Sequence, residues 1–125
     1  MSSVQSNPEE AETHIFAILS PAPGKIEQLK QAMETMINNV HSKEEEWTPR
    51  YIMTQQINVD EPALYMFETY THMANAGKHT KTEHFQALIA ACDKDGLLAK
   101  PPQLAFTKTV GGFDLDRMKI DVKKA

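Results

Sequence analysis

An α+β fold of the ferredoxin-like order β-α-β-β-α-β, with one four-stranded antiparallel sheet, is what three features of this 125-residue chain predict. The first is a long stretch of helical period near the N-terminus. The second is a set of four short runs rich in strand formers. The third is the order in which these alternate, with a tight connection between the second and third strands.

Thr13 to Ser20 (THIFAILS) reads as the first strand. Both of its faces carry apolar groups, His14, Phe16 and Ile18 on one and Ile15, Ala17 and Leu19 on the other, so it is expected to be covered on both sides. Pro21-Ala22-Pro23-Gly24 ends it. From Lys25 the period changes: Ile26, Leu29, Met33, Met36, Ile37 and Val40 form one stripe of a helix running to about Ser42, with its methionines as core fillers. Arg50 to Val59 is a second strand, Asp60-Glu61-Pro62 a tight turn, and Ala63 to Thr71 its hairpin partner, with Leu64, Met66, Glu68 and Tyr70 on one face. A short helical segment is expected over Met73 to Lys78. Thr82 can then cap a helix from Glu83 to Ala91, with Phe85, Leu88, Ile89 and Cys92 inward and a stop at Asp95-Gly96. Gln103 to Val110 is the fourth strand, and Gly111-Gly112 releases a C-terminal arm fit to be an extra strand or to lie on a partner subunit. This divides the chain into a flexible, acidic tail (1–12), a single domain (13–110) and the arm (111–125).

Composition narrows the function classes. Apolar residues at 41% and charged residues at 24% are those of a globular domain. A net charge of -4 gives no electrostatic reason to expect nucleic acid or an anionic membrane. No apolar run approaches a membrane span, and MSSVQSNPEEAE lacks the basic and apolar regions of a secretory signal, so a cytoplasmic protein is expected. Cys92 stands alone and so forms no intrachain disulfide; with no histidine near it in the pattern it is not read as a nucleophile. Nucleotide-binding glycine motifs are absent. A sheet with helices on one face leaves the other bare, and a chain this short has no further layer to cover it. A second copy is the economical cover, giving a dimeric α+β barrel.

The stretch Ala63 to Ala87 concentrates the chemistry: Glu68 near the end of a strand, then His79 and His84 at a strand-to-helix junction. A histidine titrates in the range that phenol deprotonation needs, and an electron-rich phenolate can itself pass an electron to dioxygen. The same histidines can equally hold the junction together by hydrogen bonds. Glu68 either orients a histidine or acts as base, or it accepts from Arg50, Lys78 or a backbone donor. Tyr51 and Tyr70 can bond an aromatic substrate or satisfy their hydroxyls within the core, and Trp47 can stack on a planar ligand or form a dimer contact. His72, His79 and His84 lack the i, i+4 spacing that puts two metal ligands on one helix face, so no metal is expected.

Taken together and in order, several pieces resemble the antibiotic biosynthesis monooxygenase domain family of small dimeric α+β barrels. Pro23-Gly24-Lys25 precedes the long helix; Glu45 and Tyr51 stand six apart; Phe67-Glu68-Thr69-Tyr70 resembles the family's third strand; and His79, four residues, then His84-Phe85 is similar to its step into the last helix. One departure is Trp47, where the family has glycine between its acid and tyrosine. The resemblance implies the dimeric barrel fold and a range of activities: cofactor-independent oxygenases of phenols and quinols, haem-degrading oxygenases, isomerases, and members with no known activity. Haem degradation is not expected, because the haem-degrading members carry an asparagine on the first strand and His14 to Ser20 contains none. The resulting expectation is a homodimeric, cofactor-independent monooxygenase acting on a phenolic or quinol-type, polyketide-like metabolite with dioxygen. Its catalytic residues are His79, His84 and Glu68, and Tyr51, Tyr70, Trp47 and Phe85 line the substrate. A decarboxylase, cyclase or isomerase on a similar substrate, and a non-catalytic dimeric binding or stress protein, remain the alternatives.

Overall fold

The computed structural model describes residues 12–44 and 46–114. The elements run β1 (Thr13–Leu19), α1 (Ile26–Lys43), β2 (Arg50–Gln55), β3 (Leu64–Tyr70), α2 (Met73–Thr80), α3 (Glu83–Asp95) and β4 (Gln103–Thr107). The strands form one sheet in the order β2-β3-β1-β4, every neighbouring pair antiparallel. This is the ferredoxin-like α+β arrangement expected from the sequence, with a short extra helix before α3. The tail lies outside the described residues apart from Glu12, as does the arm beyond Asp114.

Register makes the sheet two-faced, because cross-strand partners point the same way. On the helix-covered side, Ala17 and Leu19 of β1 and Leu64 and Met66 of β3 pack with Leu29 and Met33 of α1 and with Leu97. Leu97 is buried just beyond Gly96, whose left-handed backbone (φ 57°) stops α3 and turns the chain back onto the core. A second cluster joins Ile15, Tyr70 and Ala76, closed by Trp47. The stripe of α1 is realised as buried Leu29, Met33, Met36 and Val40.

On the other side, the register aligns Ile52, Phe67, Phe16 and Ala105 in one transverse row and Arg50, Thr69, His14 and Thr107 in the next. Phe16 and Phe67 stack with ring centroids 4.9 Å apart. In the single chain this face is bare, with Phe16 48% and Ile52 44% exposed, so β1 is covered on one side only. Beyond β4 the chain folds back along the polar row: Thr109 meets His14 Nε2 at 2.8 Å and Asp114 reaches Arg50 at 3.9 Å.

Three boundaries differ from the sequence expectation. β2 stops at Gln55, the last residue paired with β3, and not at Val59. The connection is a wider loop than a turn at Asp60-Glu61-Pro62: Gln56 N–H donates to the Ala63 carbonyl at 3.0 Å, the Gln56 side chain accepts from Ala63 N–H at 2.9 Å, and Asn58 takes positive φ (64°). β4 ends at Thr107, short of Val110, and α2 runs on to Thr80, past Lys78, while α3 ends at the expected Asp95-Gly96 stop. On α3, Ile89 faces outward, because the face turned to the core carries His84, Leu88 and Cys92, four apart, and Ile89 lies beside that stripe.

Leu29→Ala, which empties a fully buried site, is expected to cost about 3 kcal/mol in urea unfolding. Ile57→Ala on the exposed loop is expected to cost less than about 0.5 kcal/mol. Equal losses would contradict this assignment of the core.

Candidate functional site

The site is built where α1 ends and α2 hands over to α3. Thr82 fixes that handover. Its hydroxyl accepts from Phe85 N–H at 3.2 Å, capping α3, and donates to the His79 carbonyl at 2.8 Å, closing the end of α2. The cap therefore sets the relative placement of His79, in the last turn of α2, and His84, in the first turn of α3.

Both histidines converge on a residue the sequence reading passed over, Glu44. Its side chain is completely buried at the C-terminal cap of α1. His79 Nδ1–H donates to the two carboxylate oxygens at 2.9 Å each, and His84 Nε2–H donates to Oε2. Thr48 Oγ1 adds a bond to Oε1 at 3.1 Å. The turn carrying these groups is tied down by Thr48 N–H to the Glu44 carbonyl (2.9 Å) and by Thr71 N–H to the Trp47 carbonyl (3.1 Å). Burial by itself pushes the Glu44 carboxyl up. The hydrogen bonds from His79 and His84, the charge of His79 and the Thr48 hydroxyl outweigh it and hold the group below its ordinary value.

Around His79 stand aromatic rings: Tyr51 and Tyr70 at 5.5 Å and Phe85 edge-on at 5.2 Å. Glu68 is the direct cross-strand neighbour of Tyr51 and accepts from the Tyr70 hydroxyl at 2.7 Å. Burial dominates at Glu68 and pushes its carboxyl up, with the nearby Glu44 adding to the effect and Tyr70 and His79 working against it. Both tyrosines are pushed far above their usual range, by burial first and then by the carboxylates, so they act as hydrogen-bond donors and not as bases.

The structure thus brings His79, His84, Glu68, Tyr51, Tyr70 and Phe85 together. Trp47 is placed differently. It packs half-buried at the edge of the Ile15–Tyr70–Ala76 cluster, with Lys78 Nζ 5.2 Å over its ring. Neither cation foreseen as a partner for Glu68 serves it: Lys78 sits on Trp47, and Arg50 belongs to the open sheet face, against Thr69 and Phe67. His72 stands at the opposite end of α2 from His79. Glu45, the acid matched by its distance from Tyr51, lies outside the described residues, and Glu44 beside it carries the contacts. The readable signal was helical phase: Met36, Val40 and Glu44 are four apart and continue one buried stripe. Cys92 is half-buried near the far end of α3, its thiol pushed up by burial and by Asp93.

Chemically, an imidazole whose Nδ1–H is held by a buried carboxylate keeps its lone pair on Nε2. The carboxylate also stabilises the imidazolium formed when that lone pair takes a proton. His79 is held in this way; His84 reaches the same carboxylate through Nε2–H and so keeps its lone pair on Nδ1, beside tyrosine donors and a second carboxyl.

No protein-family model and no curated protein matches the chain. Solved structures do. A Caulobacter crescentus protein provisionally described as an antibiotic biosynthesis monooxygenase aligns with a TM-score of 0.73 at 19% identity over 86% of this chain and 97% of its own. A conserved protein of Methanosarcina mazei gives 0.70 at 16% over 82% and 97%. A Nitrosomonas europaea protein, also provisionally described as such a monooxygenase, gives 0.68 at 19% over 81% and 92%.

Replacing Glu44 with Gln is expected to cost about 3 kcal/mol at pH 7, because it removes the charge and one of the two acceptor oxygens that two buried imidazoles share. A carboxyl held low stabilises the fold above its unfolded value, and that contribution fades as pH falls through the folded value. The deficit of the variant should therefore shrink below about pH 4.5. Glu68 has the opposite sign: a carboxyl held high costs stability as pH rises past its ordinary value, so Glu68→Gln should be neutral or stabilising at pH 7. Urea unfolding of both variants across pH checks the pair, and the reverse order would refute these assignments. At these identities the likeness is one of fold, and the chain has the ferredoxin-like α+β fold of structures described as antibiotic biosynthesis monooxygenases.

Proposed function

We propose that this protein is a small oxidoreductase that oxygenates a phenolic or quinol-type aromatic with dioxygen, without a bound cofactor, as a homodimer. The observation that carries the reading is the buried carboxylate held by two imidazoles, one of them ringed by Tyr51, Tyr70 and Phe85. The names of the neighbouring structures agree with it, and no helix among the described residues is long and apolar enough to cross a membrane.

In this reading His79, polarised by Glu44, takes the phenolic proton. The Tyr51 hydroxyl orients the substrate oxygen, Tyr70 stays bonded to Glu68, and the apolar rings exclude water from the carbon that reacts. The phenolate passes one electron to dioxygen, and the radical pair recombines into a carbon-bound hydroperoxide. Loss of water then leaves a carbonyl: one phenol and one dioxygen give one quinone and one water. His84 holds Glu44 from the other side and so fixes the acceptor that orients His79. The homodimer rests on the Ile52–Phe67–Phe16 row, an apolar band on an otherwise bare sheet face.

Metal-stripped protein, offered phenols, naphthols and anthrones, is expected to take up one dioxygen per quinone formed. His79→Ala is expected to lower kcat by about 10²–10⁴. A mass change without oxygen uptake would replace the reading with decarboxylation, cyclisation or isomerisation; full turnover by a folded His79→Ala, His84→Ala double variant would remove these histidines from the mechanism. In sedimentation the chain is expected at twice its 14.1 kDa mass and Phe16→Arg at the single mass. A concentration-independent 14.1 kDa species for the unaltered chain would exclude the dimer.

A further inference from the structure

We infer that Glu44, His79 and His84 also form a binding site for a divalent transition-metal cation, with zinc the ion of closest fit. One carboxylate oxygen and two imidazole nitrogens, from three separate elements, lie within 4.8 Å of one another. That is a borderline donor set, one carboxylate and two imidazoles, which suits zinc and its first-row neighbours and not calcium or magnesium, whose ligands are oxygens. The two histidines need not share a helix face: they lie five apart on either side of the α2–α3 break and take their third partner from the end of α1.

Geometry supports the fit. Zinc bonds to nitrogen and oxygen of about 2.1 Å place donors of a tetrahedral shell roughly 3.4 Å apart. His79 Nδ1 already stands 2.9 Å from each Glu44 oxygen, so the ring needs to withdraw by only a few tenths of an ångström. On the His84 side, Nε2 and Oε2 must separate further to admit the ion. The set is also braced. Thr48 holds the second carboxylate oxygen, and Thr82 fixes both histidine-bearing helix ends, the outer support that ordered metal sites rely on. Glu44 supplies the anionic donor of the set, while Tyr70 holds the neighbouring Glu68 in place.

Binding has a chemical consequence. An imidazole ligated through Nδ1 carries its remaining proton on Nε2, so His79 has no lone pair left for a substrate proton. Metal occupancy and base catalysis exclude one another. Binding itself does not rest on the proposed oxygenation; only inhibition by metal does.

The test is zinc titration of metal-stripped protein without substrate, followed calorimetrically and by ¹⁵N NMR of the histidine rings. One zinc per chain is expected, with the resonances of His79 Nδ1 and His84 Nε2 shifting while those of His14, His41 and His72 stay in place. His84→Ala should weaken binding about tenfold or more. Because that variant also disturbs the junction, the ring shifts of the unaltered protein decide independently. Shifts confined to His14, His41 or His72, binding undiminished in His84→Ala, or no zinc uptake at millimolar concentration would each overturn the inference. Zinc uptake by a protein that never consumes oxygen would leave the site standing and remove only the proposed reaction.

Discussion

A carboxylate with no solvent contact, at the C-terminal cap of the long helix, is the constraint on which the site depends. Glu44 is tolerable there only because His79, His84 and Thr48 meet it. In return it gives α2 and α3 a common attachment to α1, so the geometry of the histidines follows from one anchored acid. Among the described residues no buried side-chain nitrogen or oxygen lacks a hydrogen-bond partner. Neutralising or removing the acid therefore acts on helix packing and on imidazole orientation together.

The sheet separates two roles by its pleat. Alternate residues of β2 and β3 send Tyr51, Glu68 and Tyr70 towards the helices and the histidines. Their neighbours Ile52 and Phe67 go to the opposite face, where with Phe16 they form the bare apolar band. A slip of one residue in the β2–β3 register would exchange the two sets, exposing the acid and burying the band. The loop from Gln56 to Ala63, closed by the Gln56 side chain, helps hold the register that keeps them apart.

Much of this was legible in the chain. Strand period placed Glu68 and Tyr70 on the buried face, helical period found α1, and Thr82 announced the start of the helix bearing His84. The central acid was not legible in the same way. Glu44 lies 35 and 40 residues from its histidines, within the run Lys43-Glu44-Glu45-Glu46, which reads as a solvated charged connection. Counting back from Tyr51 selected Glu45; only the phase of α1 distinguishes its neighbour. Trp47 stands in the same charged loop, and the backbone bond from Thr71 to its carbonyl sets it at the edge of the core. The limit of β2 was hidden because Ile57 and Val59 continue an alternating pattern after pairing has stopped.

If the histidine held by Glu44 starts the transfer of an oxygen atom from dioxygen to an aromatic ring, isotope tracing will show it: metal-stripped protein turns over an anthrone or naphthol under ¹⁸O₂, and the product is weighed by mass spectrometry. One heavy oxygen is expected in each quinone, with the label lost from product when His79 is replaced. Quinone whose new oxygen comes from water, or labelled product formed equally fast without His79, would contradict it.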